Sequence, residues 1–225
     1  MKNQYFCDVS DYTKYAILRR LSDIPKSIYW MLTSNDNGPD GRRLGYLKKP
    51  KETRWLDPEL WDKLNVCVQN DQRDLKIIES YIPNLKHSER RVIDNWQERV
   101  SISNDFIDKI EPEQLVFLDP DNGYEVPSCP KGQNESCKYV YHSEIKKLID
   151  NSCIVMLFQH KRMGQGVDDM IAEFSDKWKG SHQFSIITSY VVYYFLANCD
   201  ISWMKEKILP IQNSKPHTRI EIRII

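Results

Sequence analysis

The sequence has little excess charge and no long apolar run. Its 225 residues contain 32 Lys and Arg against 32 Asp and Glu, which excludes a polycationic nucleic-acid packaging protein and an acidic solvating tail. Any contact with nucleic acid must therefore come from a local basic patch. No run of about 18 apolar residues occurs, and the opening stretch 1–6 lacks the apolar core of a signal peptide. We therefore expect a cytoplasmic protein that makes no contact with a membrane.

Paired cysteine motifs are also missing. The six cysteines are scattered without a C-x-x-C pair, a pattern that favours reduced thiols over a disulfide or zinc framework. Cys129 and Cys137 with His142 are conceivable metal ligands, but their spacing fits no zinc pattern. The sequence predicts no metal site.

The order of predicted elements indicates an α/β protein. Apolar residues make up 40% of the chain, enough to bury a core, and the strand-like runs are apolar throughout, as in strands covered on both faces. We predict one domain, a mostly parallel three-layer sheet with helices on both faces, an antiparallel C-terminal edge pair and a polar inserted loop at 124–142. The predicted helices cover residues 11–21 (capped by Ser10 or Asp11), 58–66, 72–81, 86–97, 143–149, 170–178 and 201–208. The predicted strands cover residues 27–33, 113–118, 152–158, 185–197 and 218–225.

Three predicted strands end in polar clusters, at residues 34–41, 119–123 and 159–162. Because ligands of open α/β sheets bind at the carboxyl ends of strands, we expect these clusters to meet in one cleft. The predicted catalytic residues are Asp119, Asp121 and His160, and the predicted substrate-binding residues are Asn35, Asp36, Asn122, Tyr124 and Glu125. Two structural alternatives stay open. Asp119 and Asn122 are also typical of an Asx turn, and a histidine after a buried strand is often only a hydrogen-bonded wall residue.

The strongest basic stretch follows the first predicted strand. It includes Arg42, Arg43, Lys48 and Lys49, and Lys161 and Arg162 follow the third apolar strand. These six side chains are the predicted contacts to a nucleic-acid backbone. A solvated loop is the alternative explanation for the first four.

Two sequence patterns resemble known families. Leu118-Asp119-Pro120-Asp121-Asn122-Gly123 is similar to the Asp-Pro loop of the uracil-DNA-glycosylase superfamily, and Phe158-Gln159-His160-Lys161-Arg162 is loosely similar to its later His loop. The resemblance implies that Asp119 polarises water, His160 steadies the departing base and Asn122 reads that base. It also implies a double-stranded DNA substrate with the target base flipped out, and no cofactor.

The class I methyltransferase-like fold is the second resemblance. There, an Asn/Asp-Pro-Pro-Tyr loop ends the fourth strand and an antiparallel pair closes the sheet. The strand order, Asp119-Pro120 and the late strands at 191–197 and 219–225 look like that fold. This resemblance implies an S-adenosylmethionine-dependent nucleic-acid methyltransferase, although residues 35–41 contain no G-x-G.

The predicted function is therefore base-directed chemistry on nucleic acid. A DNA glycosylase that removes a modified or foreign base comes first, and the size of the 124–141 loop suggests a role in defence against phage. A methyltransferase is the first alternative. A metal-dependent nuclease that uses Asp119, Asp121, Glu125 and Lys138, or a non-catalytic nucleotide-binding domain, are the remaining ones.

Overall fold

A seven-stranded sheet organises the chain. The computed structural model describes residues 1–35, 43–72, 74–212 and 222–225, and its strand order is β2-β1-β3-β6-β8-β7-β9. The strands of this sheet are β1 (Lys26–Leu32), β2 (Leu85–Arg91), β3 (Leu115–Leu118), β6 (Ile154–His160), β7 (His182–Thr188), β8 (Val191–Ala197) and β9 (Ile222–Ile224). Strands β2, β1, β3 and β6 run parallel, whereas β8 is antiparallel to both of its neighbours and β9 is antiparallel to β7. The predicted α/β class, with a mostly parallel sheet and an antiparallel C-terminal edge, is confirmed.

Helices cover both faces of the sheet. They are α1 (Val9–Arg20), α2 (Pro50–Thr53), α3 (Pro58–Gln69), α4 (Leu75–Glu79), α5 (Trp96–Ile107), α6 (His142–Asp150), α7 (Val167–Lys177) and α8 (Ser202–Ile208). In β1, Ile28 and Trp30 join the apolar cluster under α1, α3, α4 and α8, whereas Tyr29 and Met31 join the cluster under α5, α6 and α7. Alternate side chains of one apolar strand therefore fill two cores, as expected of a sheet buried on both faces. Within the described residues, no helix is long and apolar enough to span a membrane.

Side-chain caps define the starts of two helices that position later features. Asp57 caps α3 by accepting from the Leu60 amide, and Pro58 occupies the first turn. The cap of α1 is Asp8, which accepts from the amides of Ser10 and Asp11 at 2.7 and 3.0 Å. The prediction that Ser10 or Asp11 caps this helix is wrong, because both residues already lie inside its first turn.

Two other element predictions are wrong. The charged stretch predicted as a helix at 86–97 forms edge strand β2 and then the start of α5, because pairing with β1 satisfies its backbone and an edge strand tolerates charged side chains. The strand predicted at 185–197 is part of a hairpin. Its turn contains no glycine or proline signal, and the Thr188 hydroxyl bonds the amide and carbonyl of Val191 instead.

Smaller differences concern the predicted loop and two element ends. The helix predicted at 72–81 is limited to α4, and of the last predicted strand residues 218–221 lie outside the described residues. The predicted polar loop contains a small parallel sheet of β4 (Gly123–Tyr124) and β5 (Tyr139–Val140). Buried Arg99 from α5 anchors this region through Glu144 and through the carbonyls of Ser136 and Tyr139.

Candidate active site

A polar cleft of about 410 Å³ lies at the carboxyl ends of β3 and β6, and Thr33, which follows β1, bonds to Asp121 in its lining. In the sheet, β2 lies on one side of β1 and β3 lies on the other, so the strand order reverses at β1. Open α/β sheets bind ligands next to such a reversal, and the cleft lies there. It is lined by Met1, Lys2, Tyr5, Asp8, Ser10, Asp11, Lys14, Arg43, Asp119, Pro120, Asp121, Asn122, Lys138, Phe158 and His160. The structure brings Asp119, Asp121, Asn122 and His160 together in this cleft. Of the third predicted cluster, residues 34 and 35 are not part of the lining, and residues 36–41 lie outside the described residues.

A buried ionic triad forms the floor of the cleft. Lys14 Nζ lies 2.7 Å from Asp119 Oδ2 and 2.8 Å from Asp11 Oδ1, and all three side chains are almost completely buried. Burial disfavours the charged lysine, but the two carboxylates outweigh it and raise the pKa of Lys14. Burial raises the pKa of Asp11 to about 7, against the opposing effect of Lys14. The ion pair with Lys14 holds the Asp119 carboxylate in one orientation.

Asp121 is the second carboxylate of the Asp-Pro loop. Its Oδ1 lies 2.5 Å from the Met1 amino group, and its Oδ2 accepts from Thr33 Oγ1 at 2.5 Å. Burial raises the pKa of Asp121, but the Met1 amino group and the Thr33 hydroxyl have the larger combined effect, and the net shift is downward. Asp121 is therefore ionised at neutral pH.

His160 ends β6 on the opposite wall. Its ring packs edge-on against Phe158 at 4.9 Å between centroids. Burial, followed by the positive charge of Arg43, lowers the pKa of His160 to about 4. The imidazole is therefore neutral at pH 7 and able to donate one N–H.

Gln159 joins the Asp-Pro loop to β6. Its Oε1 accepts from the Tyr124 amide at 2.8 Å, and its Nε2 donates to the carbonyls of Asn122 and His160. Gly123 makes this contact possible, because a Cβ built there would lie 2.3 Å from Gln159 Oε1 and the glycine φ is +124°. The Gln159 amide thus sets the position of the loop that carries both aspartates.

Several predicted substrate-binding residues lie away from the cleft lining. Tyr124 is buried on the other side of the loop, where its hydroxyl lies 3.0 Å from His142 Nδ1. Glu125 is half-buried, and its amide donates to Val140. Asn35 accepts from the Gln4 amide at 3.2 Å, and Asp36 lies outside the described residues.

The six predicted backbone-binding cations are dispersed. Arg43 lines the cleft, and its guanidinium lies over the Tyr190 ring at 4.4 Å. Lys48 is exposed, and Arg42 lies outside the described residues. The other three have partners within the protein: Lys49 pairs with Glu52 at 3.3 Å, Lys161 donates to the Ser189 carbonyl at 3.2 Å, and Arg162 pairs with Glu173 at 3.2 Å.

The sequence analysis missed the contribution of α1 and the segment before it. Asp8, Asp11 and Lys14 all reach the cleft, and their spacing of three residues was a usable signal, because such residues share one helix face. Charged residues on a helix face are usually solvated, however, and here they are buried.

The described residues contain no group of three His, Cys, Asp or Glu side chains placed to hold a metal ion. All six cysteines are free thiols, as the sequence predicts. No protein-family model, curated protein or solved structure matches the chain. The function must therefore be argued from the cleft itself.

Proposed function

We propose that this chain hydrolyses the N-glycosidic bond of a nucleotide unit. The observation that carries the proposal is an ionised carboxylate, Asp121, and a neutral imidazole, His160, that line the same cleft from adjacent strands. Cleavage of this bond develops positive charge on the sugar and negative charge on the departing base. A carboxylate stabilises the first and a neutral N–H donor the second.

Each group has one role in the proposed reaction. Asp121 orients a water molecule and stabilises the cationic sugar, the C1′–N bond breaks, and the water oxygen bonds to C1′. His160 donates a hydrogen bond to the departing base, which finally takes up the proton released by the water. Asp119 is a positioning residue, because its pairing with Lys14 fixes the loop that carries Asp121.

The substrate predicted from the sequence is a modified or foreign base in double-stranded DNA. A flipped-out base requires a pocket that encloses it, and the volume of the cleft supports this use. We extend the proposal to a cytoplasmic enzyme with a role in phage defence, which the free thiols and the large loop after β4 support.

Methyl transfer is the second candidate, favoured by the strand order. Antiparallel β8 lies between β6 and β7, and Asp119-Pro120 follows β3, as in the class I methyltransferase-like fold. The mixture of carboxylates and cations in the cleft fits the charged amino-acid end of S-adenosylmethionine. We place this candidate second because one fold hosts many activities, whereas the site determines the chemistry.

The test is an alkali-cleavage assay. The protein is incubated with plain and base-modified duplex DNA in EDTA, and the DNA is then heated in alkali to break abasic sites. We expect any strand breaks to appear only after alkali, and we expect base release from DNA or nucleotides to fall at least about 100-fold in Asp121→Asn. Asp150→Asn is the matched control, because Asp150 is exposed on α6 and pairs only with Lys146 in the described structure.

Free base released from nucleosides or nucleotides is measured in parallel by chromatography. No base release from any of these substrates refutes hydrolysis of the glycosidic bond. Transfer of a labelled methyl group from S-adenosylmethionine to the same DNA supports the second candidate instead.

A further inference from the structure

We infer that the cleft takes a free nucleoside 5′-monophosphate rather than a nucleotide within a DNA duplex. The inference rests on the proposed function and narrows its substrate class. Three observations carry it: the engagement of the predicted backbone cations, the placement of Arg43 and the dimensions of the cleft.

The cations predicted to follow a DNA backbone are mostly engaged within the protein. Lys49 and Arg162 form ion pairs with Glu52 and Glu173, and Lys161 donates to a backbone carbonyl. A protein that binds duplex DNA obtains most of its affinity from several lysine and arginine contacts to successive phosphates. A phosphate contact from any of these three side chains competes with an existing contact within the protein, which reduces the net gain in affinity.

Arg43 differs from those three residues. It is exposed, lines the cleft and has its guanidinium held over the Tyr190 ring at 4.4 Å. Stacking on an aromatic ring leaves the N–H groups at the guanidinium edge available, and these match the geometry of phosphate oxygens. One guanidinium group at the entrance of a cleft can bind one phosphate group, but not a row of phosphates along a strand.

The cleft also has the volume of a small-molecule site. Its volume of about 410 Å³ lies within the roughly 300–1,000 Å³ of small-ligand pockets. Arg43, Asp121 and His160 line the same cleft. A phosphate held by Arg43 therefore leaves the sugar and base near the Asp121 and His160 walls.

The test compares three probes by calorimetry: the deoxynucleoside 5′-monophosphates, the corresponding nucleosides and a short duplex. We expect a monophosphate to bind most tightly. We expect Arg43→Gln to weaken its binding about tenfold, the usual effect of losing one hydrogen bond to a charged group. Nucleoside affinity should not change in that variant. The control Lys48→Gln should change neither affinity, because Lys48 is exposed and outside the cleft lining.

Two results overturn the inference. One is a duplex that binds more tightly than every monophosphate, and the other is an equal loss of affinity for nucleosides and monophosphates in Arg43→Gln. Failure of the proposed function gives a different result. If a monophosphate binds in an Arg43-dependent manner but no base is released, the inferred ligand class holds and the proposed hydrolysis is refuted. If base is released from DNA but no monophosphate binds, the proposed hydrolysis holds and the inferred ligand class is refuted.

Discussion

Replacing Lys14 with methionine should destabilise the protein strongly, because two carboxylates depend on its charge. The Lys14 side chain is 1% exposed, and Asp11 and Asp119, its two partners, are 3% and 2% exposed. Methionine preserves most of the side-chain volume but removes the ammonium group. The substitution leaves both carboxylates buried beside a thioether, with no cation in contact.

Breaking a buried ion pair by removing one partner costs about 3–5 kcal/mol. Natural domains have a total stability of about 5–15 kcal/mol, so the loss is a large fraction. For a chain of this length, each 1 kcal/mol lowers Tm by about 2–4 °C. We therefore expect Tm to fall by about 6–20 °C. Removal of Lys14 also raises the folded-state pKa of Asp11 above its wild-type value of about 7, because the nearby cation that opposes the effect of burial is lost.

The assay is urea unfolding at two pH values. Because the folded variant then holds a proton that folded wild type and the unfolded chain release, the stability lost in Lys14→Met should partly return as the pH falls from about 9 to about 7. Lys146→Met is the control. Lys146 is 57% exposed and pairs with Asp150 on the surface, so its loss should cost only about 0–1 kcal/mol. A cost below about 1 kcal/mol for Lys14→Met, or a deficit that grows as the pH falls, refutes the argument.

Three further substitutions test other parts of the structure. Lys26 is fully buried and donates to three backbone carbonyls, and burial lowers its pKa to about 8. As the pH rises from about 8 to about 10.4, the free energy of unfolding of wild type should therefore increase by about 1–3 kcal/mol relative to that of Lys26→Met, because only the unfolded chain holds the Lys26 proton in this range. Urea unfolding across this pH range measures the difference. Arg99→Met removes a fully buried bidentate ion pair and should cost about 3–5 kcal/mol in urea unfolding. Gly123→Ala forces Gln159 aside and should cost about 1–3 kcal/mol by overpacking. Calorimetry should show a smaller loss for Gly180→Ala, where φ is also positive but no atom lies within 4 Å of the added Cβ.

The sheet was largely predictable because its strands are apolar on both faces. Continuous apolar runs located β1, β3 and β6, and local patterns located α1, α3 and α6, but α5, which leads into β3, was not predicted. The polar clusters after β3 and β6 contribute to the cleft lining. Strand β2 was missed because its charged residues resemble a solvated helix. The hairpin of β7 and β8 was missed because its turn is stabilised by the Thr188 hydroxyl, not by a glycine.

By itself, the sequence determined the α/β class and placed Asp119, Asp121 and His160 after buried strands. Only the tertiary structure decided the charge state of the cleft. Lys14 and Asp119 are 105 residues apart in the chain, and their pairing depends on how α1 packs against the sheet. Local patterns describe periodicity and turns, but electrostatic partners from distant segments are set by packing. For this reason the sequence indicated the candidate carboxylates, whereas the fold paired Asp119 with Lys14 and Asp121 with the Met1 amino group.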